Sequence, residues 1–213
     1  MRIALLLIAI GTSLNLQHSF AQDAKSQAIL DKLSKKVKSL KTFYVEFNAS
    51  VKNSKTGQNE NFSGKGWVKG NKYNASYGSS SIISNGARTW TVLSKDKEIY
   101  ETSVGGEDEV VNPKKLMTIW ETGFKNAYVK SETLNGTVVD VINLTPKNAK
   151  TADYSKIVVY ISRNNELKRA VMNTKDGTVM TYTVSKFTSN PSVNDTKFVL
   201  DKKNYPGYTV YKD

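Results

Sequence analysis

At Thr42 the apolar periodicity of this chain changes from three or four residues to two. Phe43, Val45, Phe47, Ala49 and Val51 then point one way, and Tyr44, Glu46, Asn48, Ser50 and Lys52 the other. That alternation is the pattern of a half-buried antiparallel strand. More strand-like runs occur at 62–69, 72–77, 82–83, 89–93, 98–104, 127–131, 137–144, 156–162, 167–174, 178–188 and 197–200. Turn signals separate them: Gly70-Asn71, Asn85-Gly86, Lys95-Asp96, Asn135-Gly136, Asn164-Asn165 and Asp176-Gly177. Such short connections predict a meander of hairpins.

Two segments break the pattern. In 24–41, Leu30, Leu33, Val37 and Leu40 recur at helical steps with Ile29 beside them, while Lys32, Lys35, Lys36 and Lys38 cover the rest. This reads as an amphipathic helix lying on an apolar surface. In 113–124, Leu116, Met117 and Trp120 share a helical stripe, and Asn112-Pro113 supplies the N-cap and first-turn signals. Gly105-Gly106 before it suggests a movable lid over 105–124. A sheet of about eleven strands twists and curls rather than staying flat. The expected class is therefore α+β, mainly antiparallel β, with a strongly curved sheet and helices covering its concave face. That arrangement leaves an apolar cavity suited to a greasy ligand.

The N-terminus reads as an export signal: Met1-Arg2, an apolar run from Ile3 to Ile10, and Ser19-Phe20-Ala21 before a cut at Gln22. Residues 1–21 are thus expected to be a signal peptide and 22–213 a single domain. The run is too short to span a bilayer. Cleavage would remove His18, the chain's one histidine, and the chain has no Cys. A mature protein without either cannot use Ser-His-Asp or Cys-His catalysis, disulfides, or zinc sites built on those ligands. Ser94-Lys95-Asp96-Lys97 has the spacing of a Ser-Lys hydrolase but lies between two strands and reads as a turn. No enzyme activity, metal or cofactor is expected. The net charge of +12 is spread along the chain without a block of five like charges. It fits an acidic partner, an anionic membrane surface or a solvated face better than a nucleic acid.

These features in order resemble one known family, the outer-membrane lipoprotein carriers (LolA). The helix containing 28–33 leads into Phe43-Tyr44-Val45-Glu46-Phe47, and Gly64-Lys65-Gly66-Trp67-Val68-Lys69 resembles the family's glycine-tryptophan strand. Ile82-Ile83-Ser84-Asn85-Gly86 with Trp90, then Pro113 to Met117, resemble its hairpin and lid helix. Leu144-Thr145-Pro146-Lys147, Asp195-Thr196-Lys197-Phe198 and Tyr205-Pro206-Gly207 resemble its later motifs. One position departs: Gly70 stands where the family carries a lid-holding Arg.

The resemblance implies an incomplete β-barrel with a helical lid over an apolar cavity. It implies a monomeric periplasmic chaperone that shields lipoprotein acyl chains and carries them from the inner to the outer membrane. Its partners would be acylated lipoproteins, an inner-membrane ATP-driven lipoprotein-release transporter, and an outer-membrane acceptor or the membrane surface. A lipid or glycolipid carrier on the same fold is an alternative, as is a non-enzymatic envelope sensor or interaction module. The expected acyl-chain lining is Phe43, Val45 and Phe47 on one strand face, Tyr73, Trp90 with Val92, and Leu116, Met117 and Trp120 on the helical stripe.

Overall fold

The structure is a computed structural model and describes residues 16–104 and 118–213. One α-helix, α1 (Leu16–Ser39), leads directly into the sheet. The strands are β1 (Thr42–Asn53), β2 (Gln58–Lys69), β3 (Lys72–Tyr77), β4 (Ser80–Ser84), β5 (Arg88–Leu93) and β6 (Glu98–Ser103). Then come β7 (Phe124–Leu134), β8 (Thr137–Pro146), β9 (Tyr154–Ser162), β10 (Leu167–Thr174), β11 (Thr178–Ser189) and β12 (Thr209–Lys212). They form one open sheet ordered β12-β6-β5-β4-β3-β2-β1-β11-β10-β9-β8-β7. All neighbours are antiparallel except β12, which runs parallel to β6.

The turn residues shape the hairpins. Asn135 and Gly136 both have positive φ, +48° and +77°. That backbone suits a two-residue turn, because its twist matches that of the strands it joins.

The alternation places Phe43, Val45 and Phe47 on one face, as the sequence predicts. Phe43 faces Val68, which faces Tyr73, and Val45 faces Phe187 on β11. On that face Leu30, Leu33 and Val37 of α1, all fully buried, join Ile82 of β4 and Ile142 of β8 in one apolar cluster. In a flat sheet β4 and β8 would lie roughly 34 Å apart at about 4.8 Å per strand, against a helix about 10–12 Å wide. The sheet therefore curls around α1, helped by bulges at Glu46/Phe47 and Tyr128/Lys130.

A second cluster lies on the opposite, outer face. Ile83, Trp90, Val92 and Ile99 are covered there by Leu200 of the C-terminal segment, with Tyr205, Tyr208 and Val210 against them. This segment departs from expectation at two points. Residues 197–200 are not a strand; a 3₁₀ turn occupies Asp195–Phe198, because the Asn194 side chain accepts the Thr196 N–H and ends any pairing. The short β12 beyond it is an element that the sequence reading does not identify. Of the expected helix at 113–124, residues 113–117 lie outside the described residues. The remainder is not α-helical: a 3₁₀ turn occupies Ile119–Glu121, and Phe124 already belongs to β7. The concave face is thus covered, among the described residues, by one α-helix and one short turn. The apolar run 3–10 of the expected signal peptide also lies outside the described residues, and α1 runs through the expected cut after Ala21.

Phe43 tests where the core is tightest. It is 1% exposed and stacks on Phe187 with ring centres 5.7 Å apart. Phe43→Ala should lower the unfolding free energy by about 3–5 kcal/mol, as measured by denaturant titration.

Candidate functional site

The concave face divides into a sealed part and a half-open part. Under the C-terminal half of α1 it is sealed. Between Leu33, Val37, Leu167 and Phe187 the residual gap is about 10 Å³. A space that size holds at most about one water. Beyond Phe43, toward the β1–β2 and β10–β11 turns, the same face carries Val45, Phe47, Val51, Met180, Tyr182 and Val184, each only half-buried. These residues form an apolar trough running along β1 and β11 and continuing onto Ala170 and Met172 of β10.

Two glycines give the trough its depth. Gly64 and Gly66 of β2 stand opposite Phe47 and Val45. The Phe47 ring lies across Gly64 so closely that an added Cβ would sit 2.1 Å from its Cζ. A Cβ on Gly66 would reach Val45 Cγ1 at 3.8 Å. Phe47 also meets Tyr182 edge-on, ring centres 5.9 Å apart.

Polar clasps hold α1 against the sheet. Trp120 is buried, and its Nε1–H donates to Ser34 Oγ at 2.8 Å. Lys38 Nζ pairs with Glu121 at 2.6 Å. Lys36 Nζ pairs with Glu166 at 2.9 Å and donates to the Asn164 carbonyl at the β9–β10 turn. Near the other end of α1, Asn126 of β7 donates to Gln27 at 2.6 Å, and the Lys25 ammonium lies 3.5 Å over the Tyr128 ring. The hydrogen bond from Lys38, joined by one from Ser34, holds the Glu121 carboxyl below its ordinary pKa against the opposing effect of burial. At Glu166 burial pushes upward, but Lys168 and Lys36 together carry the carboxyl below its ordinary range. Outside this interface, α1 and the 3₁₀ turn border an open depression of about 490 Å³ lined by Gln27, Asp31, Lys35, Lys38 and Trp120.

The expected lining residues are not all brought together. Val45 and Phe47 line the trough. Phe43, Tyr73 and Trp120 belong to the sealed cluster, with the Tyr73 and Thr89 hydroxyls 3.5 Å apart. Trp90 and Val92 share a face, but it is the outer one. Trp90 faces Ile83, and both pack under the C-terminal segment. Leu116 and Met117 lie outside the described residues. Sequence reasoning missed Met180 and Tyr182, although their alternation within 178–188 was a usable signal. It also missed Tyr154, which lies just before the expected strand.

Gly70 takes the left-handed position of the β2–β3 turn, φ +60°, and its N–H donates to the Lys41 carbonyl at 3.2 Å. The cations near it are engaged elsewhere. Lys69 and Lys72 both hold Asp195, and Arg88 pairs at 3.0 Å with the buried Glu101. Ser94 to Lys97 form the β5–β6 turn. Among the described residues no group of three or more His, Cys, Asp or Glu could hold a metal ion.

The family described as outer membrane lipoprotein carrier protein LolA matches residues 38–201. No curated protein matches the chain significantly. Among solved structures, LprF from Mycobacterium bovis is 17% identical with a TM-score of 0.50, covering 80% of this chain and 95% of its own. LppX, a lipoprotein of Mycobacterium tuberculosis, is 19% identical with a TM-score of 0.49, covering 81% and 98%. A LolA superfamily protein from Nitrosomonas europaea is 14% identical with a TM-score of 0.45, covering 82% and 97%.

Gly64→Ala should lower stability by about 1–3 kcal/mol through overpacking against Phe47. In a Phe47→Ala background the same change should be nearly neutral, which a double-mutant cycle checks. The clasps should also be sensitive to pH. Because the folded-state carboxyls titrate below their ordinary values, the clasps are fully present above about pH 4.3 and are lost as pH falls through the lowered values. Amide exchange in 30–39, corrected for intrinsic rates, should be faster at pH 3 than at pH 6. The double variant Glu121→Gln/Glu166→Gln should reproduce that acceleration at neutral pH.

Proposed function

We propose, from the premise that this chain belongs to the outer membrane lipoprotein carrier (LolA) family, that it is a periplasmic chaperone that shields the acyl chains of lipoproteins on its concave face. The observation that carries this reading is the half-buried apolar trough of Val45, Phe47, Met180, Tyr182 and Val184, which continues the sealed core under α1. A protein that needed this face only for stability would cover it; here, among the described residues, one α-helix serves a sheet of twelve strands.

The energetics suit such a task. Moving one acyl chain of about sixteen carbons into water costs on the order of 12 kcal/mol, at ~0.8 kcal/mol per CH₂. A carrier needs only to replace water around the chain with apolar side chains. It needs no nucleophile, general base or metal, and we read the protein as non-enzymatic. The seat of α1 is too tight for a chain as it stands. We therefore read the structure as the unloaded form, in which α1 occupies part of the volume that a chain takes on loading. The charged clasps, Lys36–Glu166 and Lys38–Glu121, are partly exposed, so they can open without leaving a charge in the core.

Delivery from an inner-membrane ATP-driven transporter to an outer-membrane acceptor or the membrane surface belongs to this proposal, as do export through a signal peptide on residues 1–21 and a single domain over 22–213. The trough residues Val45 and Phe47, with Phe43, Tyr73 and Trp120 behind them, are the proposed acyl-chain contacts.

Phe47→Glu tests the reading. It removes apolar contact and places a carboxylate where a chain would lie, a burial that costs several kcal/mol. The half-open position of Phe47 lets the side chain reach water in the unloaded protein. The expected outcome is a near-normal melting temperature with lost capture of an acylated peptide. Normal capture by the folded variant would sink the assignment of this face. Unfolding would show that Phe47 is core.

A further inference from the structure

Three tyrosines mark one end of the trough. Tyr77 ends β3 and faces Gly64, across which the Phe47 ring lies. Tyr182 touches that same Phe47 ring from β11, and its hydroxyl reaches past Met180, making only a 3.8 Å contact with the thioether sulfur. Its phenol is thus directed toward the β10–β11 turn. Tyr154 begins β9 at that same end, opposite Thr174, and packs against the concave cluster. In a flat sheet β3 and β11 would stand roughly 14 Å apart. The curl brings their tyrosines toward one another.

The hydrogen-bonding state of these groups sets them apart. Most other tyrosine hydroxyls on the sheet have oxygen partners: Tyr44 donates to Glu46, Tyr73 approaches Thr89, Tyr128 donates to Asp140, and Tyr100 and Tyr211 donate to Glu98, while Tyr160, which has none among the described residues, lies on the outer face opposite Val141. Among the described residues, the hydroxyls of Tyr77 and Tyr154 have no protein partner, and that of Tyr182 has only the sulfur. Tyr154 and Tyr182 are half-buried and Tyr77 is exposed at the rim; a phenol that faces the trough without a protein acceptor is free to donate to one that arrives with a ligand. Burial pushes the Tyr154 and Tyr182 phenols up from their ordinary pKa, and Tyr154 and Tyr77 add to the rise at Tyr182. The Tyr154 and Tyr182 phenols therefore stay protonated, and so remain donors, through the neutral range.

We infer that the hydroxyls of Tyr77, Tyr154 and Tyr182 form a donor station for the ester or amide carbonyl at the head of a bound acyl chain. The inference rests on the carrier reading above and adds a direction to it. The carbonyl end lies at the hairpin end of the trough, and the hydrocarbon runs back along β1 toward Phe43. The open run from Val51 to Val45 is about 20 Å long at ~3.4 Å per residue. One leaflet's acyl chain spans about 15 Å, half of a ~30 Å hydrocarbon core. The trough is therefore long enough to hold the chain with its head at the tyrosines. A bare alkane is excluded as the preferred ligand, because it leaves the donors unpaired.

The test compares two probes on the full chain, a peptide carrying a palmitoyl ester and the same peptide carrying a hexadecyl ether. The two have nearly equal apolar surface and differ in one carbonyl. Wild type should bind the ester about tenfold more tightly, the size of one or two net hydrogen bonds. Tyr154→Phe/Tyr182→Phe, which keeps both rings and removes only the hydroxyls, should erase that preference by bringing ester binding down to the level of the ether. Equal binding of ester and ether by wild type overturns the inference and leaves the carrier reading standing, as does a preference that survives in the folded double variant. Binding of neither probe by wild type overturns both. The wild-type comparison needs no variant to fold, and single Tyr→Phe changes repeat the test should the double variant lose stability.

Discussion

The structure depends on the apolar stripe of α1 meeting the concave face of the sheet. Leu30, Leu33 and Val37 are buried there to 1% exposure, each worth about 1.5–3 kcal/mol. Twelve strands present far more inner surface than one helix can cover. The sheet can curl only until its side chains meet the helix, so the core is dense along α1 and thins out beyond Phe43. Among the described residues, the trough is the part of the inner face that α1 does not cover. The outer face meets the same problem in a smaller way. There the chain returns after β11 and lays Leu200, Tyr205 and Tyr208 over Ile83, Trp90 and Val92.

The clasps around α1 are weak beside its seat. A net hydrogen bond contributes about 0.5–1.5 kcal/mol and an exposed ion pair about 0–1 kcal/mol. Ser34–Trp120, Lys38–Glu121 and Lys36–Glu166 therefore fix where α1 lies more than whether it lies there. This division suits exchange with a greasy ligand. A hydrocarbon that displaces part of the helix replaces apolar contacts with apolar contacts, so the hydrophobic cost of moving α1 is largely returned. What remains to be broken is two partly exposed ion pairs that water can replace and the buried Ser34–Trp120 hydrogen bond. Position 70, where the resemblance implies a lid-holding Arg, contributes to none of these clasps. The backbone there needs a left-handed residue for the β2–β3 turn, and the neighbouring lysines serve the C-terminal segment instead.

Much of this was legible in the sequence, and the limits have definite causes. Period-2 alternation identifies residues that share a strand face, so Phe43, Val45 and Phe47 were grouped correctly. It does not say which face of the sheet that is. Trp90 and Val92 were grouped correctly too, yet they fall on the outer side, because pairing with Ile83 sets their direction. The warning was the adjacent pair Ile82-Ile83. Both are buried, at 3% and 5%, which happens only where both faces are covered. Phe198 and Leu200 alternate like a strand, but the Asn194 cap and the Asp195 ion pairs fold 195–198 into a turn. The tyrosine station was invisible for a different reason. Tyr77, Tyr154 and Tyr182 are far apart in the chain, and only the curl of the sheet brings them to one end of the trough.

Gly64 and Gly66 show how the fold sets the shape of the site. Glycine weakens a strand, since it loses more backbone freedom on folding and contributes no packing. Two of them on one face of β2 are a cost that stability alone does not explain. The absent side chain of Gly64 lets Phe47 lie down across the strand, and Gly66 leaves the wall between Val45 and Ala75 without a side chain, so the inner wall is recessed at its centre. With larger residues there, Phe47 would stand upright and fill the trough from below. The recess, the curl and α1 thus act together: the glycines lower the floor, the curl raises the walls, and α1, among the described residues, closes one end.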